Sequence, residues 1–144
     1  MRVKLLALSL ILLFSSATQA EEKIVEPEQI VDILQQVQNW ELIQPNTACK
    51  ESYQFLPKGD ITIQSNKEKV TGFYQYILPQ DENNLPALGI TFETDNLKED
   101  CNGNSNNDVN ISSVNFLKKE SKDKIYLCTD YTGKNCPVYL RPKL

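Results

Sequence analysis

From Trp40 to Ile63 the chain reads W-E-L-I-Q-P-N-T-A-C-K-E-S-Y-Q-F-L-P-K-G-D-I-T-I, and this stretch constrains the fold more than any other. Cys49, Glu51, Tyr53 and Phe55 fall on alternate positions. Pro57-Lys58-Gly59-Asp60 then supplies turn residues, and Ile61 and Ile63 resume the alternation. A period of two is the period of a β-strand, and two such runs around a Pro/Gly turn predict an antiparallel hairpin. Trp40 to Ile43, stopped by Pro45-Asn46, predicts a strand before it.

The chain continues in the same manner. Val70 to Leu78 alternates, with Gly72 marking a bend. Leu88 to Glu93, Asn110 to Lys118 and Lys124 to Thr129 predict further strands, separated by the polar stretches 80–86, 95–108 and 119–123. Val138 to Leu140, fenced by Pro137 and Pro142, predicts a short strand at a sheet edge. About eight short strands with regular turn signals predict a mainly β domain, an antiparallel barrel or sandwich. Ahead of them, Ile30, Ile33, Leu34 and Val37 recur at helical spacing after Pro27, which predicts one amphipathic α-helix over about 27–39. Such a helix covers an edge or open end of the sheet, or lies as a lid over a cavity.

The first twenty residues read as an address. Arg2 and Lys4 precede the apolar run Leu5 to Phe14, broken only by Ser9, and small residues lead to Ala20. This is the pattern of a secretory signal peptide over 1–20, cleaved near Ala20, with Ala17 as a second position. A single domain over 21–144 follows, exported to the periplasm or secreted, with no membrane span expected in the mature chain. Of 15 basic residues Arg2 and Lys4 lie in the leader, so the mature chain carries 13 against 19 acidic ones, a net charge of −6. That balance argues against nucleic acid as a partner and permits a basic protein.

All four cysteines, Cys49, Cys101, Cys128 and Cys136, follow the leader, and an even number in an exported chain predicts two disulfides. Cys128 and Cys136 bracket the turn residues Thr132-Gly133-Lys134-Asn135, so these two are expected to meet across it. Cys49–Cys101 follows by elimination. A zinc site is disfavoured, because the spacing has no C-x-x-C and the chain has no histidine.

The run W-x-L (Trp40, Leu42), Y-x-F-x-x-x-G-x-I-x-I (Tyr53, Phe55, Gly59, Ile61, Ile63) and G-x-Y (Gly72, Tyr74) resembles the opening of small lipocalin-like domains. Cys-x-Glu-x-Tyr-x-Phe with the later Asp-Cys-Asn-Gly also resembles small exported proteins of Gram-negative bacteria. The resemblance is close over 40–76 and a matter of pattern beyond. It implies a lipocalin-like barrel, and with it a carrier of a small apolar ligand as one function.

The absence of histidine excludes a Ser-His-Asp triad, a Cys-His pair and an imidazole ligand. Oxidised cysteines are not nucleophiles. The expectation is a non-enzymatic, monomeric binding module of the inhibitor or immunity type, whose partner is another protein. The carrier is the alternative, and a calcium-stabilised structural protein of the cell envelope the second. No cofactor is expected apart from calcium. Glu51, Tyr53, Tyr74 and Tyr76 are the candidate ligand or partner contacts, with Glu51 on the strand face of Cys49, Tyr53 and Phe55. In the loop Asp100-Cys101-Asn102-Gly103-Asn104-Ser105-Asn106-Asn107-Asp108, oxygen-bearing residues recur at alternate positions. Asp100, Asn102, Asn104 and Asp108 are therefore candidate calcium ligands. Ser105 and Ile111 stand where a calcium loop carries its glycine and closing glutamate.

Overall fold

The computed structural model describes residues 28–144, so the expected leader and Pro27 lie outside the described residues. Helix α1 (Ile30–Gln36) precedes eight strands: β1 (Trp40–Ile43), β2 (Lys50–Phe55), β3 (Asp60–Ser65), β4 (Glu68–Ile77), β5 (Ala87–Asp95), β6 (Ser112–Ser121), β7 (Lys124–Cys128) and β8 (Val138–Pro142). Each strand pairs antiparallel with its sequence neighbours, and β8 pairs with β1 to close a barrel.

That closure corrects the expectation of an edge strand. β8 is bonded on both sides, to Leu42 through Leu140 and to Tyr126 through Tyr139. Pro142 is its last residue, opposite Trp40, so the missing N–H falls at the strand end and not inside a ladder. A closed barrel also removes every exposed strand edge.

α1 is shorter at both ends than its spacing predicts. It begins where Asp32 Oδ2 accepts a hydrogen bond from the Gln29 N–H at 2.9 Å, which satisfies one first-turn donor. It ends as Val37 turns extended to lead into β1. Trp40 Nε1 donates to the Leu34 carbonyl at 2.9 Å, taking one of the acceptors the helix end leaves open. Ile33, Leu34 and Trp40 are all at most 2 % exposed, so the helix plugs this end of the barrel and does not lie loosely over it. Gln35 Nε2 donates to the Tyr74 hydroxyl, which donates to the Leu56 carbonyl, locking the plug to β4 and to the turn after β2.

Inside, Leu42, Phe55, Ile61, Ile63, Val70, Tyr74, Leu88, Ile90, Leu117, Ile125, Leu127 and Leu140 form one continuous core with the plug. These side chains point into the barrel and are buried there. Gly72 fixes the sharpest feature of the wall: the β4–β5 register shifts at Thr71/Gly72, and a Cβ at position 72 would sit 2.0 Å from the Thr91 carbonyl oxygen. Only glycine permits that approach. Lys58 and Gly59 both take positive φ in the turn between β2 and β3, which Pro57 opens.

Both disulfides have the expected pairing. Cys49–Cys101 ties the start of β2 to the loop between β5 and β6, and Cys128–Cys136 spans the turn between β7 and β8. On the outer wall, β4, β5 and β6 align in three rows: Ile77–Ala87–Phe116, Gln75–Gly89–Val114 and Phe73–Thr91–Ser112. None of these residues is charged, whereas 24 % of the chain is.

Candidate functional site

The barrel end opposite the helix carries the most concentrated chemistry. Alternation along β2 turns Glu51 to the same side as Phe55, and the register sets it opposite Ser65 of β3, a fully buried residue. Ser65 is in turn opposite Glu68 at the start of β4. Val70, two residues on, pairs with Asp95 at the end of β5, so Asp95 also turns toward the barrel axis. The loop after β5 returns over this end, held by Cys49–Cys101. There the Cys101 N–H donates to Ser65 Oγ at 3.1 Å, and the Asp108 N–H donates to Asp95 Oδ2 at 2.9 Å.

The result is a rim of five carboxylates: Glu51, Glu68, Asp95, Asp100 and Asp108. Oxygens of Glu68, Asp95 and Asp108 lie within 4.8 Å of one another. Partial burial raises the Glu68 carboxyl to about 7, with Asp95, Asp108, Asp100 and Glu51 adding repulsion. Burial likewise raises Asp108, and then Asp95 and Asp100 add to it. Glu51 is raised by burial, which outweighs hydrogen bonds from Tyr53 and Ser65. None of the five is in an ion pair among the described residues. Like charges held this closely favour either a shared proton or a cationic group from outside.

The candidate contacts separate along the barrel. Tyr53 donates to Glu51 Oε2 at 3.0 Å and belongs to the rim from the inside, its own hydroxyl raised well above the ordinary tyrosine value by burial and then by Glu51. Tyr74 lies at the helix end, and its hydroxyl locks the plug. Tyr76 packs partly buried against the core near Ile30. Glu51 also borders an open polar groove of about 440 Å3, with Glu41, Lys50, Ser52, Gln64 and Asn66 among its walls.

The four candidate calcium ligands do not act together. Asp100 Oδ1 accepts from the Asn102 and Asn104 N–H groups, both at 2.8 Å, so its carboxylate braces its own loop. These bonds hold Asp100 below the usual carboxylate range. Asp108 converges with Glu68 and Asp95. Glu68, Asp95 and Asp108 together offer a hard cation three carboxylate groups, each able to give one or two oxygens.

Glu68 and Asp95 are the rim residues that sequence reading misses. The stretch Asn66-Lys67-Glu68-Lys69 reads as one polar turn, but only Asn66 and Lys67 make it, with Asn66 at φ +55°. Glu68 then belongs to β4 and pairs with Ser65. The signal lay in the turn length: two residues, not four, bring Glu68 to the inward side. No known protein-family model, curated protein or solved structure matches the chain.

Proposed function

We propose that the protein is an exported, non-enzymatic protein-binding module of the inhibitor or immunity type, acting in the periplasm, whose acidic barrel rim receives a cationic surface of its partner. The observation that carries this reading is the rim itself: five carboxylates around one end of the barrel, with no ion pair to neutralise them among the described residues. An incoming lysine or arginine would gain a charge-assisted hydrogen bond and relieve the repulsion that raises Glu68. The negative charge of the mature chain would also speed encounter with a basic partner. The alternative, a carrier of a small apolar ligand, needs open apolar volume, and the residues along the axis are packed against one another.

The test is affinity capture of the mature protein from periplasmic extract, run beside the variant Glu51→Gln/Glu68→Gln/Asp100→Asn. A basic protein retained by the parent, released by salt and absent from the variant supports the reading. A captured set unchanged by the variant, or a stoichiometric lipid in an organic extract, overturns it.

A further inference from the structure

We propose that Cys49–Cys101 is a thiol–disulfide exchange site, opened by a dithiol, whose state decides whether the loop bearing Asp100 and Asp108 stays over the acidic rim. The exchange stands on its own geometry, while its effect on a partner rests on the function proposed for the rim.

Ser65 is the one buried polar residue among the described residues, at 2 % exposed. Its Oγ donates to Cys101 Sγ at 3.1 Å and accepts from the Cys101 N–H at 3.1 Å. A disulfide sulfur is a weak acceptor and a thiolate a strong one, so this hydroxyl bonds the reduced sulfur better than the oxidised one. A carboxylate oxygen of Glu51 lies within 4.8 Å of both sulfurs. Burial raises Glu51, so it keeps a proton to higher pH than an exposed glutamate. Glu51 also borders the open polar groove, from which water returns that proton. At Cys128–Cys136 no hydroxyl donates to either sulfur among the described residues.

Cys49 is 6 % exposed and Cys101 only half-buried, so an incoming thiolate meets Cys101 Sγ. A bond forms between those two sulfurs. The Cys49–Cys101 bond breaks, and its electron pair goes to Cys49 Sγ, which takes a proton from Glu51. The dithiol's second thiolate then attacks its own bound sulfur. The mixed disulfide breaks, and that pair goes to Cys101 Sγ, where Ser65 already donates. The dithiol ends as a disulfide; its two electrons and two protons end on Cys49 and Cys101, with Glu51 reprotonated.

Opening has a mechanical consequence. No residue from 96 to 111 is buried. Apart from the disulfide and Ser65, this loop is held chiefly by hydrogen bonds, from the Lys67 and Glu68 N–H groups to the Glu99 carbonyl and from the Asp108 N–H to Asp95. A segment with no apolar anchor opens locally, and the like charges of Glu68, Asp95 and Asp108 favour it. The mixed disulfide is thereby carried away before Cys49 can displace the reductant. Around Cys128–Cys136 the turn is braced: Asp130 accepts from the Thr132, Lys134 and Asn135 N–H groups, so Cys128 stays beside Cys136 and closes again.

The test is reduction of the folded protein near about pH 7.5 with about 5 mM dithiothreitol, alkylated at intervals, with peptide masses that assign each pair. Cys49–Cys101 should open at least about tenfold faster than Cys128–Cys136, with the circular dichroism of the barrel retained. Protease should cut the exposed stretch 102–107 only in the reduced protein, and reoxidation should restore protection. Glu51→Gln keeps an acceptor for Tyr53 and loses the proton. It should slow the opening about tenfold, and the difference should vanish in urea, where both chains lose these surroundings. Equal opening of the two pairs, a Glu51→Gln protein reduced as fast as the parent, or a reduced loop still protected overturns the proposal. None of these readouts involves a partner, so a failed capture of a basic protein bears on the rim's function and not on the exchange.

Discussion

The Tyr53 hydroxyl donates to Glu51 Oε2 at 3.0 Å, joining two inward side chains one strand repeat apart on β2. The pair places a hydrogen-bonded carboxylate just above the apolar core, and burial raises both groups. Tyr53→Phe removes the donor and leaves the carboxylate partly desolvated. The expected cost is about 1.5–3 kcal/mol in urea unfolding at pH 7.5. It should shrink near pH 4, where Glu51 is protonated and needs no donor. An equal cost at both pH values would show that the bond to the charged form does not matter.

The rim sets the pH dependence of stability. Glu68 titrates near 7 in the folded chain and near 4.5 unfolded, so between these values the folded state keeps a proton that the unfolded state has lost. Stability from this group is present below about 4.5 and is lost as pH rises through 7. Glu51 and Asp108 act in the same direction. Asp130, held at about 2 by hydrogen bonds from Thr132 and backbone N–H groups, acts oppositely, its contribution falling away below about 4. The melting temperature should therefore rise on acidification from pH 7.5 to about 5 and fall again below about 4. Glu68→Gln should raise stability at pH 7.5 and flatten the upper limb. A melting temperature highest at pH 7.5 would contradict the unpaired rim.

Gly72→Ala should be among the most damaging single-methyl additions in the chain. Its Cβ would sit 2.0 Å from the Thr91 carbonyl oxygen and 2.9 Å from the Phe92 Cα, both backbone atoms that cannot swing aside. Separating β4 from β5 at the bulge should cost about 3 kcal/mol or more. Gly89→Ala, on the same sheet with open space outward, should cost under about 1 kcal/mol. Equal effects in chemical denaturation would refute the contrast.

The disulfides should differ in what they hold. Cys49–Cys101 closes a separation of 52 residues and Cys128–Cys136 one of 8, which chain entropy converts to about 4 and about 2.6 kcal/mol. Cys49→Ser/Cys101→Ser should cost more and should expose the loop over the rim to protease before the barrel unfolds. Cys128→Ser/Cys136→Ser should cost less and leave that loop protected. Limited proteolysis beside denaturation separates the two, and a loop cut equally fast in both variants would remove the tether from the rim's architecture.

Much of this fold was legible because strands and turns are local. The alternation at Tyr53, Phe55, Ile61 and Ile63, the turn at Pro57–Asp60 and the bend at Gly72 each depend on neighbours along the chain, and each stands where its spacing places it. Cys128–Cys136 was legible for the same reason, since its turn brings the two together. The site was legible only in part. Glu51, Asp100 and Asp108 stand out in the sequence as candidate ligands, whereas Glu68 reads as part of a turn and Asp95 as part of a loop.

The sequence by itself determined a β domain with one amphipathic helix ahead of it and the Cys128–Cys136 cross-link, because period, turn chemistry and close cysteine spacing are short-range properties. Tertiary structure alone decided that β8 returns to β1, that α1 plugs one end, and that Glu68, Asp95 and Asp108 converge at the other. Closure depends on twist and stagger summed over eight strands, which no single segment encodes. The direction of a side chain at a strand end depends on register, where a shift of one residue turns an inward carboxylate out to water.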